Sequence, residues 1–160
     1  MDQIHLPSEV VVAQSGPSTY TLTFEPLFPG YGVTIGNALR RILFSSLPGA
    51  AVTAVKIKFV DHEFSTIPHI KEDVIQVILN IKQLVLRSHS TAPTRIKLHV
   101  QREGAVTAAD IEETDLVQVI NKDLHIATIN DPKGELDIEF IVEQGRGYAP
   151  VESRENEKYE

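Results

Sequence analysis

The chain has 160 residues, 42% hydrophobic and 23% charged, which is ordinary for a globular protein of one domain or two small ones. Its formal charge of −7, with 22 acids against 15 bases, disfavours a phosphate-binding surface, because nucleic-acid modules draw affinity from clustered Lys and Arg. Zero cysteines exclude disulfides and thiolate chemistry, no apolar run approaches the ~20 residues of a membrane span, and Met1-Asp2-Gln3-Ile4-His5 lacks a secretory signal's features; the cytoplasm is the expected compartment.

Residues 10–13 and 20–24 read as two short strands around a turn at Ser15-Gly16-Pro17-Ser18. Tyr20, Leu22 and Phe24 alternate with Thr21 and Thr23, as in a sheet with one buried face. A glycine-bearing turn, Gly30-Tyr31-Gly32, then leads to a helix of about three turns, with Thr34 as candidate N-cap. Pro48-Gly49 supplies its stop.

Within that helix Ile35, Ala38, Leu39, Ile42 and Leu43 recur at the spacing that builds one apolar stripe. The other side carries Gly36, Asn37, Arg40, Arg41 and Phe44, where an ordinary surface helix would carry Glu and Lys. Gly36 costs about 1 kcal/mol against Ala inside a helix, so its presence points to close approach by another backbone. Arg40 and Arg41 are neighbours roughly 100° apart on the helix and cannot both follow the stripe. They are either solvated, with their stems on apolar neighbours, or in contact with a partner.

Further on, residues 55–59 alternate and start a new sheet, and 61–69 form a polar loop. Residues 70–86 read as a second helix whose first turn carries Lys71-Glu72-Asp73, acids that suit the positive end of its dipole. Residues 95–100, 124–129 and 135–142 are three more strands. Residues 107–111 read as a turn or a single helical turn, 130–134 as a hairpin turn, and the charged stretch 152–160 as a mobile tail. Strands following strands with two helices indicate an α+β fold.

Candidate chemistry is sparse. The glycine spacing of residues 30–36 is wrong by one for a dinucleotide fingerprint, and no Lys-Ser or Lys-Thr follows for a phosphate loop. His62 with Asp61, Glu63 and His69 imitates a metal site but lacks paired ligand spacing. Ser45-Ser46 and Ser65-Thr66 have no nucleophile elbow around them. The stretch Gly145-Arg146-Gly147-Tyr148 is either a hinge or a contact surface, since Arg and Tyr are enriched at interfaces. No catalytic residue, metal or cofactor is assigned.

The run Gly30-Tyr31-Gly32-Val33-Thr34-Ile35-Gly36-Asn37-Ala38-Leu39-Arg40-Arg41-Ile42-Leu43 resembles the amino-terminal domain of the alpha subunit of bacterial RNA polymerase. His62-Glu63-Phe64-Ser65-Thr66, Glu72-Asp73-Val74 with Leu79-Asn80-Ile81-Lys82, Val106-Thr107-Ala108-Ala109-Asp110-Ile111 and Gln144-Gly145-Arg146-Gly147-Tyr148-Ala149-Pro150 are similar to it in the same order. The likeness covers roughly residues 11–154. It implies a discontinuous dimerisation domain interrupted by an antiparallel, β-rich insertion with one long helix. The first domain would span 1–50 and resume at 145–160, with 51–144 inserted.

By the same resemblance the protein is a non-catalytic scaffold inside a nucleotidyltransferase, DNA-directed RNA polymerase. It dimerises, seats the large catalytic beta and beta-prime subunits, associates with the nucleoid through them, and makes no DNA contact of its own in this segment. Leu27, Tyr31, Ile35, Leu39, Ile42 and Leu43 would serve the dimer. Gly36, Asn37, Arg40 and Arg41, with His62, Glu63, Ser65, Thr66, Gly145, Arg146, Gly147 and Tyr148, would face a large subunit. The family's first domain needs further strands and a second long helix after position 150, so the chain is expected to be a fragment or a shortened member. Physical chemistry supports the scaffold independently: four stripe side chains are worth on the order of 6–12 kcal/mol when buried, and some 50 residues are too few to cover them. A small nucleotide- or phosphate-binding enzyme using the 30–36 turn, and a stand-alone oligomeric adaptor, are the alternatives.

Overall fold

The computed structural model describes residues 7–150. They fall into two compact units divided between Leu47 and Pro48. In the first unit, β1 (Glu9–Gly16) and β2 (Thr19–Glu25) form an antiparallel hairpin. Its register pairs Val10 with Phe24 and Val12 with Leu22, which puts all four on one face.

Helix α1 (Tyr31–Ser46) begins earlier than the sequence predicts. Its N-cap is Gly30, not Thr34, and no side chain caps it. Gly30 sits at φ 89°, a left-handed conformation that turns the chain straight into the helix, so a hydroxyl cap is dispensable. The amide of Tyr31 finds the Phe28 carbonyl at 3.0 Å, and the two rings meet edge to face at 5.9 Å. At the other end Leu47 is extended, as a residue before proline must be.

The second unit holds β3 (Pro48–Ile57), α2 (Val74–Ile81), β4 (Leu86–Ser88), β5 (Thr94–Val100) and β6 (Gly104–Thr107). After a 3₁₀ turn (Ala108–Asp110) follow β7 (Val117–Val119), β8 (His125–Ile129) and β9 (Leu136–Arg146). A five-stranded sheet runs β5-β9-β3-β4-β7 and a two-stranded one pairs β6 with β8, every pairing antiparallel. The fold is therefore α+β. Alternation does the work: β5 buries Thr94, Ile96, Leu98 and Val100 and exposes Arg95, Lys97 and His99, while β9 buries Leu136, Ile138, Phe140 and Val142.

Four sequence expectations need correction. The Pro48-Gly49 stop is also the first turnless stretch of β3, which starts seven residues before the predicted 55. Proline is tolerated there because it is the first residue of the strand. The second helix covers only Val74–Ile81; Asp73 is its N-cap, accepting from the Gln76 amide at 2.7 Å, and Glu72 and Lys71 lie outside it. Residues 130–134 do turn the chain, but β8 and β9 belong to different sheets, so no hairpin results. Finally, β4, β6 and β7 have no counterpart among the predicted strands. The mobile tail predicted at 152–160 lies outside the described residues.

Candidate interaction site

Helix α1 contains no buried residue. Of its stripe, Ile35 is half-buried, and Leu39, Ile42 and Leu43 are 37%, 56% and 57% exposed. Leu27 is half-buried and Tyr31 exposed at the start of the same run. On the flank, the Arg40 guanidinium lies 5.8 Å from the centre of the Phe44 ring, which steers that cation along the helix. A methyl group added at Gly36 would meet nothing within 4 Å, so the helix presents bare backbone beside the arginines. The glycine turn precedes α1 but follows an antiparallel hairpin, and β3 enters another sheet. The βαβ unit of a nucleotide site is therefore missing among the described residues.

The 62–66 loop belongs to the second unit and leads towards α2. Ser65 donates from both its amide (3.2 Å) and its hydroxyl (2.7 Å) to the His62 carbonyl, and the Val74 amide donates to the Ser65 carbonyl at 3.3 Å. Ile67, 3% exposed, pins the loop to the core, which leaves His62, Glu63 and Thr66 exposed and Ser65 half-buried. Phe64 is 77% exposed, a large apolar ring held in water.

Gly145 and Arg146 end β9, where they pair with Gly49 and Pro48 of β3. Gly147 then takes a positive φ of 66°, and Tyr148 stands 91% exposed. Within the second unit the structure thus sets the 62–66 loop and the 145–148 stretch on different elements. The α1 residues belong to the first unit.

Of Asp61, His62, Glu63 and His69, the run that imitates a metal site without its ligand spacing, His69 faces Asp131 at 3.4 Å. The ligand atoms of His99, Glu135 and Asp137 do gather within 4.8 Å of one another, on strands whose pairing no local motif reveals. Lys58 Nζ lies 2.9 Å from Glu135, and this hydrogen bond holds the Glu135 carboxyl below its usual range, with burial a smaller opposing effect. Two half-buried carboxylates, an exposed histidine and a lysine therefore gather beside the start of β9, with Lys58 just past the end of β3 and His99 on β5.

The second unit is thus an antiparallel α+β module with one short helix, entered and left through adjacent strands, and the first unit carries a helix with an open apolar flank. The profile of the RNA polymerase Rpb3/RpoA insert domain matches residues 55–160, and the chain belongs to that family. It is 54% identical over 144 residues to a protein of Symbiobacterium thermophilum named DNA-directed RNA polymerase subunit alpha, covering 90% of this chain and 45% of the relative. A protein of the same name from Oceanobacillus iheyensis is 50% identical over 158 residues, covering 98% and 50% respectively. One from Roseiflexus is 48% identical over 147 residues, covering 92% and 45%. The chain spans about half the length of these relatives.

Proposed function

We propose that the chain acts as a non-catalytic scaffold of DNA-directed RNA polymerase, working in the cytoplasm. One copy pairs with a second through Leu27, Tyr31, Ile35, Leu39, Ile42 and Leu43, and the pair seats the large catalytic subunits. Gly36, Asn37, Arg40 and Arg41, the 62–66 loop, and Gly145, Arg146, Gly147 and Tyr148 meet those subunits. The observation that carries this reading is α1 itself: a helix with a regular apolar stripe and no buried side chain is half of an interface. Membership of the polymerase family supports the identity of the partners.

The domain division 1–50, 51–144 and 145–160 belongs to the same proposal. A module inserted into another domain must be entered and left at one place. The pairing of Pro48 with Arg146 and of Gly49 with Gly145 supports this arrangement. No helix among the described residues is long and apolar enough to cross a membrane.

Reconstitution of the full-length chain with the large subunits tests the proposal. Leu39→Glu should abolish self-association, read as a halved mass by light scattering. Arg41→Ala should keep the dimer and weaken binding of a large subunit by roughly 1–3 kcal/mol. An unchanged mass for the first variant would remove the dimer stripe. Lost thermal stability with intact assembly for the second would make Arg41 structural.

A further inference from the structure

The approach to α2 is laid along β8 as an added strand. The Asn130 amide donates to the His69 carbonyl at 2.9 Å, Ile70 bridges Ile129, and the Lys71 amide donates to the Thr128 carbonyl at 3.0 Å. At the end of this strand the Glu72 carboxylate turns back onto β8. One of its oxygens accepts from the Thr128 amide at 2.6 Å; the other accepts from the Thr128 hydroxyl at 3.0 Å and lies 3.1 Å from His125 Nε2. The side chain is only 13% exposed. Burial by itself would push this carboxyl up, but the donations from His125 and Thr128 outweigh it and hold the group below the usual glutamate range.

The next two residues hold the loop. Asp73 bridges Thr66, the Val74 amide donates to the Ser65 carbonyl at 3.3 Å, and Ser65 donates twice to the His62 carbonyl. A continuous series of hydrogen bonds therefore runs from β8 through Glu72 and its neighbours to His62. We propose that Glu72 is the positioning residue of the 62–66 loop, its carboxylate fixing on β8 the residues from which that loop hangs. The inference rests on the reading of this loop as a large-subunit contact. It adds that the contact's shape is set by a residue outside it.

The effect of removing the tie is confined. Helix α2 remains seated through Val74, Val77 and Ile81, and Ile67, the residue that follows the loop, stays in the core. What is lost is the loop's fixed position, and the Thr128 amide loses its charged acceptor.

The test uses the full-length chain and the reconstituted polymerase, comparing Glu72→Ala, Glu72→Gln and the contact variant His62→Ala. In the free chain, Glu72→Ala should speed hydrogen exchange ~10-fold at the amides of Lys71, Val74 and Thr128, as expected when a local tie opens. It should also weaken large-subunit binding ~10-fold, the size of a lost charge-assisted hydrogen bond. Glu72→Gln, which keeps an acceptor oxygen for Thr128, should recover part of both effects. His62→Ala should weaken binding with exchange unchanged.

Unchanged exchange at those amides in Glu72→Ala overturns the positioning role whatever binding does. Faster exchange with wild-type binding, where His62→Ala still binds weakly, also overturns it and leaves the contact reading intact. Full binding by His62→Ala and Glu72→Ala together removes the loop contact, and the positioning role goes with it.

Discussion

The two compact units use the same kinds of side chain to opposite ends. Every buried apolar residue among those described lies between Ile57 and Val142, in the second unit. The first unit has the more regular pattern, with a hairpin face of Val10, Val12, Leu22 and Phe24 and a helical stripe, and it buries none of these side chains. Amphipathic periodicity therefore specifies a face and says nothing about what covers it. In the second unit two sheets and a helix close over their own apolar faces. In the first, a two-stranded hairpin and one helix are too little chain to make a core, so the same physics leaves apolar faces in water.

The sharpest way to break that comparison is to shorten one side chain in each unit. Phe140 is fully buried on β9 among Ile96, Leu98 and Ile138, so Phe140→Ala should cost about 3–5 kcal/mol of stability by denaturant unfolding of the monomeric chain. Leu39→Ala in the same experiment should fall within about 0.5 kcal/mol of wild type, because its surroundings are already wet. A comparable loss at Leu39 would mean that the first unit has a core after all.

Two glycines sharpen it further. A methyl group at Gly134 would collide with Ile129 Cγ2 and crowd the Asp131 carbonyl and His69 Cβ, at the turn that sends β8 out of its sheet. Gly134→Ala should destabilise the chain by about 1–3 kcal/mol. Gly36→Ala meets no neighbour and should stabilise α1 by up to ~1 kcal/mol, seen as higher helicity by circular dichroism. If α1 is approached closely in the assembled enzyme, the same methyl must weaken binding. A variant that is both more helical and fully competent in assembly would leave Gly36 without a role.

What the sequence made legible follows the same division. Strands β5 and β9 are legible at once because one face is buried and the other is charged or polar apart from Ile141, with Arg95, Lys97 and His99 on β5 and Asp137, Glu139 and Glu143 on β9. The sequence makes the second helix too long because residues 70–86 are rich in Ile, Leu and Val throughout, and periodicity cannot separate a buried helix from the extended stretches on either side of it. Ile70 bridges β8 and Leu86 opens β4, both in extended chain. The beginning of β3 is illegible for the converse reason, since Gly49, Ala50 and Ala51 carry no contrast to alternate. Strand β7 is only three residues long. The α1 stripe is legible because its spacing is local. Glu72 was visible as part of a motif but its use was not, because His125 and Thr128 are 53 and 56 residues away.

The smallest effect concerns acid. Glu72 and Asp110 both lie in the second unit, and in both, burial acting alone would raise the carboxyl. At Asp110 the Thr107 amide at 2.9 Å and the Arg102 guanidinium at 2.7 Å prevail and lower it, as Thr128 and His125 do at Glu72. A carboxyl depressed in the folded state contributes stability above its unfolded value, and that contribution disappears as pH falls through the folded one. The melting temperature of the second unit should therefore hold steady from neutrality downwards and decline once the usual carboxyl range is entered. Glu72→Gln should melt lower at neutral pH and decline less steeply in acid, since one of the titrating ties is already absent. Parallel acid profiles for variant and wild type would show that Glu72 serves as a hydrogen-bond acceptor whose charge does not matter. The tie to β8 would then depend on geometry alone, and Gln should replace Glu there without loss of loop order.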